Sequence, residues 1–270
     1  MSPVPVVGRR SARRNGWAQP LTPGAEPEAS ARARLLLAAF ALAAVGDLAA
    51  LLAGSDAAHT IFKPLLMPLL AAYVVTVKGP RLLTAVLLFG WGGDTLLLFD
   101  ADPAFLAGMG SFAAGHICYL VLFKRHGFKH KGFKHNGTSR ARGAWLVAAY
   151  ATALIVTVAL LWPDLPPDMR GPVAGYSLLL TAMAFAATRL GPVAAAGGAL
   201  FLLSDTLIAT GVAEWPQAPR PDFWIMLTYI AAQFLLVRGV LGACPAQLTS
   251  ESAAATRSAA PTPPRRDRAR

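Results

Sequence analysis

Long apolar runs alternate with short polar segments along most of this chain. Eight runs approach or reach the roughly 20 apolar residues that a helix needs to cross a bilayer. They cover residues 33–53, 60–77, 82–99, 104–123, 144–162, 172–188, 192–211 and 222–242. Because several connections are short, consecutive helices should be antiparallel neighbours. The pattern predicts an all-α membrane protein with eight transmembrane helices in one bundle.

The two ends of the chain are polar. Residues 1–31 are rich in Pro and Arg, and residues 244–270 are rich in Ala, Pro, Ser and Arg. Such compositions predict disordered basic tails on either side of a transmembrane domain that covers residues 32–243. A cleaved signal peptide is not expected, because the first apolar run follows a long polar segment and is itself long enough to span.

Composition supports a membrane protein. Hydrophobic residues make up 55% of the chain and charged residues only 14%, whereas soluble domains carry about 25% charged residues. The mean hydropathy is +0.48. The net charge of +11 does not indicate nucleic-acid binding, because the basic residues lie in tails and in loops between apolar runs. In a membrane protein this pattern marks the cytoplasmic side.

The distribution of charge also predicts the orientation. With both termini in the cytoplasm, all but three of the 25 Lys and Arg residues fall on the inner side. The exceptions are Arg170 and Arg220 on the outer side and Lys63 within a span. The outer connections instead carry seven acidic residues: Asp56, Asp100, Asp102, Asp164, Asp168, Glu214 and Asp222. An odd number of spans would spoil this alternation, so the charges favour eight spans in the cell membrane.

Two aspartates lie inside apolar runs, Asp94 in the third and Asp205 in the seventh. A carboxylate in hydrocarbon costs about 2.5–3.5 kcal/mol on insertion scales and rarely persists there without a task. Both aspartates are followed by Thr-Leu, which suggests a duplicated four-helix unit. Hydrogen bonding between helices, or an ion pair with Lys63, is the structural alternative. Two such carboxylates favour acid/base chemistry or ion handling inside the bundle.

Ionisable groups on four of the predicted helices share one depth. At about 1.5 Å per residue, Asp47, Lys63, Asp94 and Asp205 lie roughly 5–10 Å below the outer interface. This coincidence predicts a single polar cavity that opens toward the outer leaflet or the outer aqueous face. His116 and Ser111, near the middle of the fourth run, are expected at its floor. Further polar residues within spans are expected to line the same cavity: Tyr119, Tyr176, Tyr229 and Gln233.

Other features of the sequence suggest no metal centre. Cys118 and Cys244 are the only cysteines and cannot form a metal cluster. The loop after the fourth run repeats Gly-Phe-Lys-His and contains His126, His130 and His135. A solvated basic loop near anionic lipid is favoured there over metal binding. No cofactor is expected.

In these residues the chain resembles the YhhN, or lysoplasmalogenase-like, family of integral membrane proteins. The resemblance extends in order over about residues 35–240. The matching elements are Lys63-Pro64-Leu65 with Pro68-Leu69, Gly93-Asp94, Phe112 through Gly115-His116 to Tyr119, Gly198-Ala199-Leu200-Phe201 leading to Ser204-Asp205, and Tyr229 with Gln233.

The resemblance implies eight membrane helices and hydrolysis of the vinyl ether bond of lysoplasmalogens. The products would be a fatty aldehyde and a glycerophospho-ethanolamine or glycerophospho-choline. Asp94 and Asp205 match the two membrane aspartates of the family and are the expected catalytic pair. The residues expected to bind the lysophospholipid are Asp47, Lys63, His116, Tyr119, Ser204, Tyr229 and Gln233, with Lys63 at the head-group phosphate.

The chemistry suits two carboxyl groups. Protonation of the alkene leaves an oxocarbenium ion, and in the analogous glycoside hydrolysis one carboxylic acid donates the proton while a carboxylate stabilises the cation or activates water. Burial and a neighbouring carboxylate both favour the protonated acid. Asp94, in the more apolar run, is the expected acid, whereas Asp205 has Ser204 and Thr206 beside it.

Two other functions remain open from the sequence. A proton- or cation-coupled transporter would use Asp47, Asp94 and Asp205 as ion sites. The second alternative is a non-catalytic lipid-binding membrane protein.

If the protein is an enzyme, its two carboxyl groups should lie within about 4–8 Å of each other at one lipid-sized cavity. A transporter predicts a path that reaches both aqueous faces.

Overall fold

The computed structural model describes residues 25–127 and 137–243, which form eight α-helices. The helices are α1 Ala25–Ala53, α2 Asp56–Thr76, α3 Arg81–Leu96, α4 Asp102–Gly127, α5 Gly137–Leu161, α6 Pro167–Ala187, α7 Pro192–Val212 and α8 Pro221–Ala243. A short 3-10 turn, Thr188–Leu190, follows α6. For the described residues, the predicted all-α architecture is confirmed.

Seven of the described helices are long and apolar enough to cross a membrane. The exception is α3, whose 16 residues extend only about 24 Å at 1.5 Å per residue. This is less than the roughly 30 Å of a bilayer's hydrocarbon core. The apolar run continues to Phe99, but the chain leaves the helix after Leu96 and turns toward Asp100 and Asp102. The eight predicted spans are therefore seven full-length helices and one short one.

The first helix begins earlier than the predicted domain boundary at residue 32. It starts at Ala25, so its first turns lie in the segment predicted as a tail. The local sequence explains this, because Glu26 and Glu28 favour a helix N-terminus and Pro27 is tolerated in the first turn. The predictions for residues 1–24 and 244–270, and for the loop histidines, lie outside the described residues or side chains.

The helices pack in a closed arrangement with one peripheral member. Consecutive helices contact each other in the pairs α1–α2, α2–α3, α3–α4 and α7–α8, while α8 returns to α1 and α6 packs between α4 and α7. Helix α5 packs mainly on α6. Its side chains Trp145 and Ile155 are 77% and 66% exposed, so in a membrane they face lipid. The core therefore involves the other seven helices.

Small residues bring α7 and α8 close together. A Cβ atom on Gly197 would lie 2.9 Å from the backbone nitrogen of Leu236, and one on Gly239 would lie 2.6 Å from the Cβ atom of Ala194. Such close contacts between helices are typical of membrane bundles. The hydrophobic effect does not drive helix association within lipid, and small residues instead allow the close van der Waals packing that does. This close contact fixes the position of α7, which carries Asp205.

One end of the bundle carries the α1–α2, α3–α4, α5–α6 and α7–α8 connections, and we call it the acidic end. A second apolar cluster closes it, with Leu161, Leu165, Met169, Val173 and Ala213 buried. The α7–α8 connection is tied to the α5–α6 connection, because Nε1 of Trp215 donates a 2.8 Å hydrogen bond to Asp164. This end therefore has a structured cap.

Candidate active site

The polar side chains singled out from the sequence are nearly all buried. Each of the following is at most 9% exposed: Asp47, Lys63, Asp94, His116, Tyr119, Ser204, Tyr229 and Gln233. Asp205 and Tyr176 are half-buried. Because lipid offers no hydrogen bonds, such groups must find their partners within the protein. Most of these residues belong to one of two separate chains of hydrogen bonds.

The first chain ends on Asp94 and joins α3, α8 and α4. Tyr119 donates a 2.9 Å hydrogen bond to Oε1 of Gln233, and Nε2 of Gln233 donates to the Tyr229 hydroxyl at 3.3 Å. Tyr229 in turn donates to Oδ2 of Asp94 at 2.9 Å. All three donors point toward the carboxyl group, an arrangement in which each bond strengthens the next. We call this the Asp94 chain.

The close approach of α3 depends on a glycine. A Cβ atom on Gly90 would lie 3.2 Å from the Tyr229 hydroxyl and 3.3 Å from Nε2 of Gln233. A side chain there would press on the two central members of the Asp94 chain. Gly90 lies one helical turn before Asp94, so the glycine and the carboxyl group face the same neighbour, α8.

The second chain ends on Asp205 and joins α7, α6 and α4. The Tyr176 hydroxyl donates to Oδ2 of Asp205, and Nε2 of His116 lies 3.0 Å from the Tyr176 oxygen. Since the phenol proton goes to Asp205, Nε2 of His116 is the donor in the second bond. Nδ1 of His116 is then an acceptor, and it is buried without a partner among the described residues. We call this the Asp205 chain.

Aromatic rings separate and support the two chains. The ring of Phe201 meets His116 edge-on at 4.9 Å and Tyr229 at 5.5 Å between centroids. Phe112 contacts Tyr229 at 5.9 Å and Phe201 at 6.4 Å. Phe201 therefore packs against a member of each chain, and Phe112 packs against Tyr229 of the Asp94 chain. The sequence identified them only through the family resemblance, because an aromatic residue in a span is ordinary.

A cavity of about 300 Å³ lies beside Asp205. Most of its lining is apolar, and it comes from helices α4 to α7 together with Leu97, which directly follows α3. Its polar side chains are Asp205, Tyr176, Ser177, Thr157, Thr181 and Thr206. The described helices thus enclose a space suited to an alkyl chain, with a carboxyl group in its wall.

Asp94 does not line this cavity. Phe112 lines the cavity. Its ring also lies 2.5 Å from the position that a Cβ atom of Gly93 would occupy. Phe112 therefore contacts both the cavity and the turn of α3 that carries Asp94. Asp205, Lys63 and Asp47 all lie near enough to Asp94 to act on it electrostatically.

The four groups predicted at one depth do not share one polar cavity. Asp47, Lys63 and Asp94 are absent from the lining of the cavity that contains Asp205. Asp47 is fully buried and pairs with His59, whose Nδ1 lies 2.8 Å from its Oδ1. The expectation fails because depth alone does not specify which way a helix turns its side chain. The sequence pattern did not single out His59, which lies one helical turn before Lys63 on α2.

Of the two remaining predicted binding residues, one has a hydrogen-bond partner and the other has no ion-pair partner among the described residues. Ser204 donates to the backbone oxygen of Ile225 at 3.1 Å and so links α7 to α8. Lys63 makes no ion pair with a carboxylate of the described chain. It lies on α2, which contributes nothing to the cavity lining. A role at a phosphate therefore stays a prediction for Lys63.

An apolar cluster and the peripheral helix α5 form two sides of the cavity. Phe105, Met109, Ala209 and Val212 both line it and pack against the apolar cluster at the acidic end. On its side, α5 contributes Ala153, Leu154 and Thr157. Because α5 is the peripheral helix, this side of the cavity is the one that would face lipid in a membrane.

Known proteins match most of the transmembrane region. Residues 58–240 match the YhhN family. The chain is 34% identical over 169 residues to lysoplasmalogenase TMEM86B of Homo sapiens, a match covering 63% of this chain and 65% of that protein. The protein of the same name from Sus scrofa is 33% identical over 164 residues, covering 61% and 62% respectively. The matches thus span slightly less than two thirds of these two relatives. No solved structure matches the chain.

Proposed function

The chain belongs to the YhhN family, and from that premise we propose that it is an integral membrane hydrolase that cleaves the vinyl ether bond of lysoplasmalogen-type lipids. The name lysoplasmalogenase, carried by its relatives, supplies the reaction class. The observation in this chain that carries the proposal is the position of Asp205. This carboxyl group lies in the wall of an apolar cavity inside a membrane bundle.

The reaction needs an acid, a water molecule and an apolar site for the alkenyl chain. A proton adds to the alkene carbon that does not bear oxygen, and the ether oxygen then shares the positive charge of an oxocarbenium ion. Water adds to this ion, and the hemiacetal collapses to a fatty aldehyde and a glycerophospho-alcohol. The aromatic ring of Phe112 in the cavity wall offers a negative face to the developing cation.

Both aspartates take part in this proposal. Asp205 is placed to meet the lipid, while Asp94, which does not line the cavity, acts as a fixed negative charge that favours the cationic transition state. The buried residues of the two hydrogen-bonded chains hold these carboxyl groups in place. In this proposal the acidic end of the bundle faces the outside of the cell.

The position of the cavity also bears on the transporter alternative. Its lining residues come from the half of the bundle near the acidic end and from the middle of α5, α6 and α7. It contains no residue from the opposite helix ends. This one-sided position favours a binding and reaction site over a continuous path.

The proposal is tested by the release of aldehyde. Purified protein incubated with a lysoplasmalogen should release a fatty aldehyde, whereas the saturated alkyl ether analogue should not react. Asp205→Asn and Asp94→Asn should each reduce the rate at least about 100-fold, within the range of acid–base and electrostatic contributions. Asp102→Asn, an exposed change at the acidic end, is the matched control. No aldehyde from the wild type, or full activity in both site variants, would overturn the proposal.

A further inference from the structure

We infer that Tyr176 is a further catalytic group, which holds the Asp205 carboxyl at the cavity and stabilises its anion, and that His116 is the residue that positions Tyr176. The inference rests on the proposed function and deepens it. It makes Asp205 the proton donor, where the sequence favoured Asp94.

Access to the cavity distinguishes the two carboxyl groups. Asp205 lines the cavity and Asp94 does not. The Asp94 chain directs three donors in succession toward a buried carboxyl group that does not line the cavity. That environment holds Asp94 in a fixed position away from the lipid. An acid that protonates an alkene must instead touch it, and of these two carboxyl groups only Asp205 has that position.

Tyr176 also lines the cavity, and it is the hydrogen-bond partner of Asp205. The two residues lie on different helices, α6 and α7, so their bond fixes the carboxyl group with respect to both walls. The bond occupies Oδ2 and leaves Oδ1 for the proton that is transferred. When Asp205 loses that proton, the phenol O–H is already directed at the new anion. Such a preorganised donor lowers the free energy of the charged transition state.

His116 completes the arrangement from behind the cavity. Its Nε2–H donates to the Tyr176 oxygen, which directs the phenol proton toward Asp205. A charged imidazolium would place a second N–H, on Nδ1, where it has no partner in the described chain. The ring is therefore neutral. The edge-to-face contact with Phe201, at 4.9 Å between ring centroids, fixes the orientation of the imidazole ring. Because His116 is absent from the cavity lining, it acts through Tyr176 and not on the lipid.

The proton balance is complete within this group of residues. The Oδ1–H bond of Asp205 breaks as the alkene electron pair forms a new C–H bond, and Tyr176 stabilises the carboxylate that remains. Water then attacks the oxocarbenium carbon and returns one proton to Asp205. One water molecule is consumed, the acid is regenerated, and no oxidant or reductant takes part.

Removal of the phenol hydroxyl provides the first test. Tyr176→Phe should lower kcat about 100-fold while KM stays within about twofold, since one preorganised donor contributes roughly this factor. Tyr150→Phe is the matched control, because Tyr150 lies on α5 and its ring packs on Phe185. His116→Gln, which keeps an N–H donor, should retain more activity than His116→Leu. Equal activities for Tyr176→Phe and Tyr150→Phe would overturn the inference.

A chemical label tests the same point without a substrate. An apolar carbodiimide, such as dicyclohexylcarbodiimide, takes up the proton of a carboxyl group that it can reach, and the carboxylate oxygen then adds to its central carbon. Peptide mass spectrometry locates the product. Asp205 should be labelled at least about ten times faster than Asp94, because only Asp205 adjoins the cavity. Tyr176→Phe should accelerate labelling at Asp205, because the anion loses its donor, and leave Asp94 unchanged.

These outcomes separate the two proposals. If the wild type releases no aldehyde but the labelling pattern is observed, the proposed lipid substrate is wrong and the Asp205–Tyr176 site stands. If Asp94 is labelled faster, or Tyr176→Phe leaves the Asp205 rate unchanged, the inference is wrong whatever the aldehyde assay gives.

Discussion

Tyr229 donates a 2.9 Å hydrogen bond to Asp94 although 135 positions separate the two residues in the chain. The bond ties α8 to α3, the shortest helix of the bundle. Because Gln233 and Tyr119 continue the same chain of hydrogen bonds, it also reaches α4. The Asp94 chain is thus both a support for the bundle and the environment of one proposed reaction group.

Loss of the Tyr229 hydroxyl should therefore reduce stability. Tyr229→Phe removes the donor to Asp94, and hydrogen bonds between membrane helices contribute roughly 1 kcal/mol on average. We expect the free energy of unfolding in detergent to fall by about this amount. Tyr150→Phe, on the peripheral helix, should change it by less than about half as much. Equal effects of the two variants would show that the Tyr229 bond is energetically neutral.

A methyl group at Gly90 should disturb the same chain of hydrogen bonds. The added Cβ atom of Gly90→Ala would lie 3.2 Å from the Tyr229 hydroxyl, so Tyr229 must move and its bond to Asp94 should lengthen. We expect aldehyde release to fall at least about fivefold, an amount equivalent to roughly 1 kcal/mol in the barrier. Gly110→Ala is the control, because nothing lies within 4 Å of a Cβ atom there. Full activity in Gly90→Ala would show that turnover does not depend on the Asp94 chain.

The wall of the cavity on α5 should set how much of a lipid chain fits. Leu154 lines the cavity, so Leu154→Trp should reduce its volume, raise KM for long-chain substrates and favour shorter alkenyl chains. Ile155→Trp introduces the same ring one residue later, where the side chain is 66% exposed and faces outward. Kinetics over a series of chain lengths should therefore separate the variants. Identical chain-length profiles would mean that the lipid does not occupy this cavity.

The sequence predicted the helices well because apolar runs of sufficient length have few alternatives in a membrane. It also identified the buried polar residues, since a polar group in a span has a cost that few positions can bear. The short α3 was less predictable. The leucines before Phe99 continue the apolar run, but the turn toward Asp100 and Asp102 ends the helix.

The partners of these polar residues were not predictable. Helical rise gives the depth of Asp47, Asp94 and Asp205, but the rotation of each helix determines which cavity its side chain reaches. The pairing of Asp47 with His59, and the contact of Phe112 with the α3 turn at Gly93, depend on how neighbouring helices rotate and pack against each other. Tyr176 was one of several tyrosines in spans, and only its contact with Asp205 distinguishes it.

The most direct measurement of the central claim is deuterium incorporation during aldehyde release. In D2O the wild type should add one deuteron to the carbon next to the aldehyde carbonyl, since that carbon receives the proton from the solvent-exchanged acid. Immediate reduction of the aldehyde to the alcohol prevents later exchange, and mass spectrometry then locates the label. We predict one deuterium per alcohol from the wild type and no product from Asp205→Asn. Alcohol without deuterium at that carbon, or labelled alcohol formed at the wild-type rate by Asp205→Asn, would contradict protonation of the alkene by Asp205.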